Sequence, residues 1–129
     1  MKQFFIKGEN IKDISAFYEE MNRLFMRNED WKIGASLDAL DDLFYGGFGE
    51  IKGNEDVELI WQHFQENRKV LGLETTLEFY EKKLRSPEIF NSKLIQEKIK
   101  ELNEGTGQTY FEIILKIISD HPNIHLIEK

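Results

Sequence analysis

The chain has 129 residues, no cysteine and a formal net charge of −7, from 24 acidic and 17 basic side chains. This length favours a single domain with its own core, and the lack of cysteine excludes disulfides and thiolate metal sites. The acidic balance disfavours nucleic-acid binding and favours a basic protein partner, because carboxylates repel phosphates and attract cations.

No apolar run is long enough to span a membrane, and the N-terminal apolar stretch is too short for a signal peptide. A chain without cysteine also fits a reducing compartment. We therefore expect a cytoplasmic protein that does not bind membranes.

The first half of the chain predicts two strands and two helices. The strands are residues 2–7 and 57–61, which are apolar segments bounded by turn residues. A first helix over residues 13–27 begins at Asp13 and repeats apolar residues at spacings of three and four. A shorter second helix begins at Ser36 and ends at the glycines 46–47.

The second half predicts mainly helices. Residues 67–73 are ambiguous, residues 74–85 are predicted to be helical, and Ser86-Pro87 is predicted to start a helix that runs to residue 103. Thr109 and Glu112 form a capping box for a last helix over residues 110–120, whose many apolar residues place it deep in the core. Residues 123–127 alternate as a final strand. This order predicts an α/β layer with a small sheet.

Residues 34–49, GASLDALDDLFYGGFG, carry an unusual pattern. On a helical wheel of about 100° per residue, one side holds Leu37, Leu40, Leu43 and Phe44. The opposite side holds Asp38, Asp41, Asp42 and Tyr45. The pattern predicts a short helix with an apolar side in the core and an acidic side facing outwards.

The acidic side is either an ordinary solvated helix face or a binding site for a cationic partner. Aspartate is a poor residue inside a helix, because its short side chain competes for backbone hydrogen bonds. Carboxylates three and four residues apart also repel one another, at a cost of about 0.2–0.5 kcal/mol per pair. The sequence leaves both interpretations open.

No other motif indicates catalysis or a cofactor. Three carboxylates could hold a divalent metal ion. A metal site that binds a diphosphate would also need a second acidic helix or a basic cluster for the phosphates, and the sequence has neither. Gly46-Gly47-Phe48-Gly49 follows a helix and lacks a lysine, which favours a helix stop over a phosphate loop. His121 and His125 are separated by Pro122, so they do not predict a zinc pair. We expect neither an enzyme nor a bound cofactor or metal.

The segments FIKGENIKDIS, GASLDALDDL, VELIWQHF and TYFEIILKIISDHPNIHLIEK follow one another along the chain. In this order they resemble the first strand and helix, the second helix, the second strand, and the last helix and strand of the barstar family of ribonuclease inhibitors. GASLDALDDL is similar to that family's Gly-x-Asn-Leu-Asp-Ala-Leu-x-Asp pattern.

The resemblance implies a barstar-like α/β fold, with a small three-stranded parallel sheet packed against helices in one domain, 1–129. It also implies that the second helix and the preceding loop plug the active site of a ribonuclease. Their carboxylates would take the place of the substrate phosphate. Asp38 and Asp42 match the family's two helix aspartates, and Asp42 matches the one that enters the phosphate site.

The sequence departs from the family's pattern at several positions. Asp41 replaces a tryptophan, Ser36 replaces an asparagine, and Lys32 with Ile33 replaces a pair of tyrosines. Lys116 or a neighbour falls where the family's last helix supplies an acidic contact. Residues 73–108 have no counterpart in the short family members, and they predict one or two added helices that pack on the sheet edge or extend the interface.

Our leading hypothesis is an inhibitor or immunity protein for a basic ribonuclease or toxin nuclease, monomeric when free. It assigns partner contacts to Asp38, Asp41, Asp42, Ser36, Tyr45, Phe48, Trp31 and Lys32. A second hypothesis is a barstar-fold interaction or regulatory module that binds through the added helices and inhibits no nuclease. A third, a metal-dependent phosphodiesterase using the aspartates, lacks a general acid and base.

Overall fold

Three short segments that are rich in apolar residues form a parallel sheet in the computed structural model, which describes residues 1–129. The strands are β1 (Lys2–Ile6), β2 (Val57–Trp61) and β3 (Ile124–Glu128), and β2 lies in the centre. Phe4, Leu59 and Leu126 lie side by side across the three strands. Helical connections join successive strands, as parallel pairing requires. The predicted α/β class with a small three-stranded parallel sheet is confirmed.

Two α-helices connect β1 to β2, after a single 3-10 turn at Gly8–Asn10, and four connect β2 to β3. They are α1 (Ile14–Phe25), α2 (Leu37–Phe44), α3 (Phe64–Val70), α4 (Leu73–Leu84), α5 (Ser92–Asn103) and α6 (Tyr110–Ser119). The predicted capping box of Thr109 and Glu112 begins α6. None of the six helices combines the length and the apolar character needed to cross a lipid bilayer.

Two parts of the helix prediction need correction or completion. The ambiguous residues 67–73 form most of α3 and the start of α4. The helix predicted from Ser86-Pro87 begins only at Ser92, because the N–H groups of Ile89 and Phe90 both donate to the Ser86 carbonyl in a single turn. The side chain of Asn91 then accepts the N–H of Leu94 at 3.1 Å and caps a new helix, α5.

The hydrophobic core lies on one face of the sheet, where Leu59 and Ile124 meet the buried sides of α1, α2, α3 and α6. The prediction that α6 lies deep in this core is correct for one side of the helix. Phe111 and Ile114 are fully buried, whereas Ile117 is partly exposed. The apolar residues of α6 extend beyond its buried side, so some of them remain partly exposed to solvent.

A buried carboxylate connects the turn after β1 to α1. Glu20 is 2% exposed, and it accepts hydrogen bonds from the N–H of Lys7 at 2.8 Å, from Asn10 Nδ2 at 3.3 Å and from Arg23 Nη2 at 2.6 Å. Burial acts to raise the pKa of Glu20, but these donors stabilise its charged form. Together they hold the pKa of Glu20 below its ordinary value.

We expect Glu20 to make the stability of the protein pH-dependent. Because its pKa is lower in the folded than in the unfolded chain, its contribution is complete above the unfolded pKa of about 4.3. The contribution is lost as the pH falls through the folded pKa. In urea unfolding, the stability difference between wild type and Glu20→Gln should therefore shrink between about pH 7 and about pH 3. The same difference at every pH would contradict this prediction.

Residues 73–108 contain the two helices α4 and α5, which pack together as a hairpin. Buried Thr76 anchors the hairpin, because its hydroxyl donates to the Gly72 carbonyl at 2.7 Å and accepts the N–H of Tyr110 at 2.8 Å. The Tyr110 hydroxyl lies 2.6 Å from that of Tyr18. Burial, reinforced by this hydrogen bond, raises the pKa of Tyr18. Outside the hairpin, the principal contacts of α4 are with α6 and not with a strand.

Candidate protein-binding site

The predicted amphipathic pattern of α2 is confirmed. Leu40, Leu43 and Phe44 are at most 1% exposed, and the helix packs against α6. At its C-terminal end, Gly46 has a φ of 79°, and a Cβ there would lie 2.1 Å from the carbonyl oxygen of Gly53. A glycine therefore ends the helix at the point where residues 46–53 fold back against it.

Asp38 and Asp42 are the two free carboxylates of α2. Both are exposed, and neither forms an ion pair within the chain. Residues four apart on a helix are neighbours, with about 5–6 Å between their Cβ atoms. The outer face of α2 thus presents two adjacent anions, while the buried face fixes the helix in place.

Asp41 has a different environment from its two neighbours. Its Oδ1 atom lies 2.7 Å from Nε2 of His121, a residue that follows α6 and is 5% exposed. An ionised carboxylate only accepts hydrogen bonds, so the imidazole N–H donates to it. The ring of Tyr45 stands edge-on to the same imidazole, with 4.6 Å between ring centres. The sequence groups all three aspartates as partner contacts, but the structure pairs Asp41 with a buried group.

Exposed or partly exposed aromatic side chains lie on the last turn of α2 and in the two loops that flank this helix. Tyr45, one turn beyond Asp41 and Asp42, is 66% exposed. Trp31 is 45% exposed, and its ring packs on that of Phe48 with 4.8 Å between centres. Exposed aromatic residues of this kind are enriched among the residues that dominate binding at protein interfaces.

The loop before α2 is held by a reciprocal pair of hydrogen bonds. Asn22 of α1 donates to the Ile33 carbonyl at 3.2 Å and accepts the Ile33 N–H at 2.8 Å. Lys32, the preceding residue, is exposed. Ser36 uses its hydroxyl to cap α2, accepting the N–H of Ala39 at 3.1 Å. The structure therefore gives Ser36 a role in positioning the helix.

His121 is the residue of this region that the sequence did not identify. It lies 80 positions after Asp41, and no local spacing connects the two residues. Lys116, at or next to the position where the barstar family has an acidic contact, forms an ion pair with Asp120 at 2.6 Å. The carboxylate of Asp120, at the C-cap of the same helix, therefore neutralises the charge of this lysine.

This surface can bind cations and hydrogen-bond donors. No three His, Asp or Glu side chains come together as a group that could hold a metal ion. The carboxylates of Asp38 and Asp42 can accept hydrogen bonds from guanidinium and ammonium groups, which are the strong, charge-assisted kind.

Comparisons of this chain with models of known protein families, with curated proteins and with solved structures find no match.

Proposed function

We propose that the protein is a cytoplasmic inhibitor or immunity protein of a basic ribonuclease or toxin nuclease. The acidic face of α2 enters the active site of that nuclease and takes the place of the substrate phosphates. The observation that carries this proposal is the pair Asp38 and Asp42, adjacent, exposed and unpaired on a helix whose opposite side is anchored in the core by Leu40, Leu43 and Phe44.

The physical basis is charge complementarity. An active site that binds RNA phosphates must present cationic groups, and carboxylates held on a helix match them. A carboxylate offers no phosphodiester bond to cleave, so the nuclease stays occupied. Attraction between the acidic protein and a basic nuclease also speeds their encounter.

The fold supports the same proposal. A parallel sheet with a short acidic helix between its first two strands is the arrangement that the barstar resemblance implies, and a barstar-like fold is part of this proposal. In that resemblance, Asp38 and Asp42 stand at the positions of the family's two helix aspartates. Tyr45 at the end of α2, and Trp31 packed on Phe48 in the flanking loops, supply further contacts.

The test is affinity capture from the source cells and their secretions, followed by mass spectrometry. Wild type is compared with the double variant Asp38→Asn/Asp42→Asn, which removes both free charges and keeps the size of both side chains. We expect wild type to retain a basic nuclease that the double variant does not. Inhibition of the purified nuclease by wild type completes the test.

A matched control is Glu81→Gln/Glu97→Gln, which makes the same change in net charge at two exposed, unpaired positions on the hairpin. It should retain the nuclease as wild type does. Equal loss in both double variants would indicate non-specific charge attraction. A failure of wild type to retain any nuclease would refute the proposal.

The hairpin favours a second candidate, an interaction module without nuclease inhibition. Leu73, Ile89 and Leu94 are 48%, 71% and 52% exposed, so the hairpin presents apolar side chains that a partner could cover. A partner retained equally by wild type and by Asp38→Asn/Asp42→Asn, but lost from Ile89→Ser/Leu94→Ser, would support this candidate over the first.

A further inference from the structure

A cleft lies between the first turn of α1 and α4. Its volume is 420 Å³, and Ala35, which directly precedes the N-cap of α2, also lines it. Ile14 and Phe79 are its apolar residues, and both are packed against the core. Its charged groups, Asp13, Glu78 and Lys82, are exposed.

Both walls of the cleft are held by contacts within the chain. On the α4 side, Phe79 packs on Tyr110 with 5.1 Å between ring centres, and Tyr110 is fixed by buried Thr76. On the α1 side, one oxygen of Asp13 accepts the N–H of Ala16 at 2.7 Å. The cleft is therefore formed before any partner arrives.

The charged groups of the cleft form no ion pairs, and two of the three are carboxylates. Glu78 and Lys82 are four residues apart on α4, yet they form no ion pair, and neither does Asp13. The next lysine, Lys83, contacts the rings of Phe79 and Phe90, and so lies within the hairpin. Apolar walls beside two carboxylates suit a side chain with an apolar stem and a cationic end, above all arginine.

We propose that this cleft binds an arginine side chain of the same basic nuclease that α2 inhibits, an inference that rests on the proposed function. The cleft and the acidic face are close together, because Ala35 lines the cleft and lies three residues before Asp38, so their Cα atoms are at most about 11 Å apart. The two surfaces differ in what they recognise. The carboxylates of α2 suit any phosphate-binding site, whereas the cleft suits only a nuclease with an arginine at the right distance, and so it provides specificity.

The experiment measures the affinity of the captured, purified nuclease for wild type, Glu78→Lys and the control Glu97→Lys. Both variants change the net charge equally, and Glu97 is an exposed residue of α5 outside the cleft. We expect Glu78→Lys to bind about tenfold more weakly than Glu97→Lys, with equal melting temperatures. An arginine-to-glutamate change in the nuclease should restore binding to Glu78→Lys.

The outcomes separate the two proposals. Equal affinities of Glu78→Lys and Glu97→Lys, or no restoring arginine variant, would overturn the cleft proposal and leave nuclease inhibition by α2 intact. Recovery of no nuclease by wild type would overturn both.

Discussion

Replacing Asp42 with alanine is expected to weaken binding of the proposed nuclease about 30-fold or more and to leave the melting temperature unchanged or slightly raised. Truncating one member of a buried charge pair at an interface costs about 2–5 kcal/mol of binding free energy. The free protein loses nothing, because the exposed Asp42 side chain forms no ion pair. Alanine is also the better helix former, by up to about 0.7 kcal/mol.

Asp41→Ala is the matched comparison, on the same helix and with the same change in charge. It removes the partner of His121 and leaves a buried imidazole N–H without an acceptor, which costs about 1–3 kcal/mol of unfolding free energy. Chemical unfolding of the two variants, with isothermal titration against the nuclease, measures both effects. If Asp41→Ala is as stable as Asp42→Ala, the pairing with His121 contributes nothing. If Asp42→Ala loses stability in step with binding, Asp42 is a structural residue.

Asn67→Ala is expected to be among the most destabilising single changes in the chain, lowering the unfolding free energy by about 2–4 kcal/mol. The Asn67 side chain is 1% exposed, accepts Nε1–H of Trp61 at 2.7 Å and donates to the Gly8 carbonyl at 3.0 Å. Its loss leaves the buried indole N–H of Trp61 without an acceptor and opens a cavity. A Cβ on Gly8 would lie 2.1 Å from the Gln62 carbonyl oxygen and 2.8 Å from Oδ1 of Asn67, so only a glycine fits at this position of the turn.

Two further variants separate the causes of this loss. Asn67→Leu fills most of the cavity but still provides no acceptor, so it should recover only part of the stability. Asn103→Ala changes an exposed asparagine and should stay within about 0.5 kcal/mol of wild type. Urea unfolding gives all three values, and a loss below about 1 kcal/mol for Asn67→Ala would show that the hydrogen bond to Trp61 contributes little.

The fold was predictable from the sequence where local chemistry decides the structure. The Ser36 cap, the capping box of Thr109 and the alternation of β3 each act over a few residues, and these elements are confirmed. The start of α5 was not predictable from Pro87, since the competing signal is a side-chain cap at Asn91. Asparagine occurs in many turns that start no helix, so its presence alone does not predict a cap.

The candidate site was predictable only in part, for a related reason. Periodicity places Asp38, Asp41 and Asp42 on one side of α2, because position on a helix depends on spacing alone. It does not indicate that Asp41 meets His121, since this contact depends on how α6 packs against α2. The cleft beside α4 also depends on packing, and no sequence spacing relates Ala35 to Glu78.

The loop that follows α2 determines how much conformational entropy is lost when a partner binds. Its two ends are joined by the hydrogen bond from the Gly53 N–H to the Gly46 carbonyl, at 2.8 Å. Fixing the backbone of one flexible residue costs about 1–2 kcal/mol, and in this loop that loss occurs during folding. Binding of a partner therefore incurs no further loss of conformational entropy in this loop. Association should therefore need no rearrangement of this loop, and its rate should depend on the charges of the two proteins and on the ionic strength.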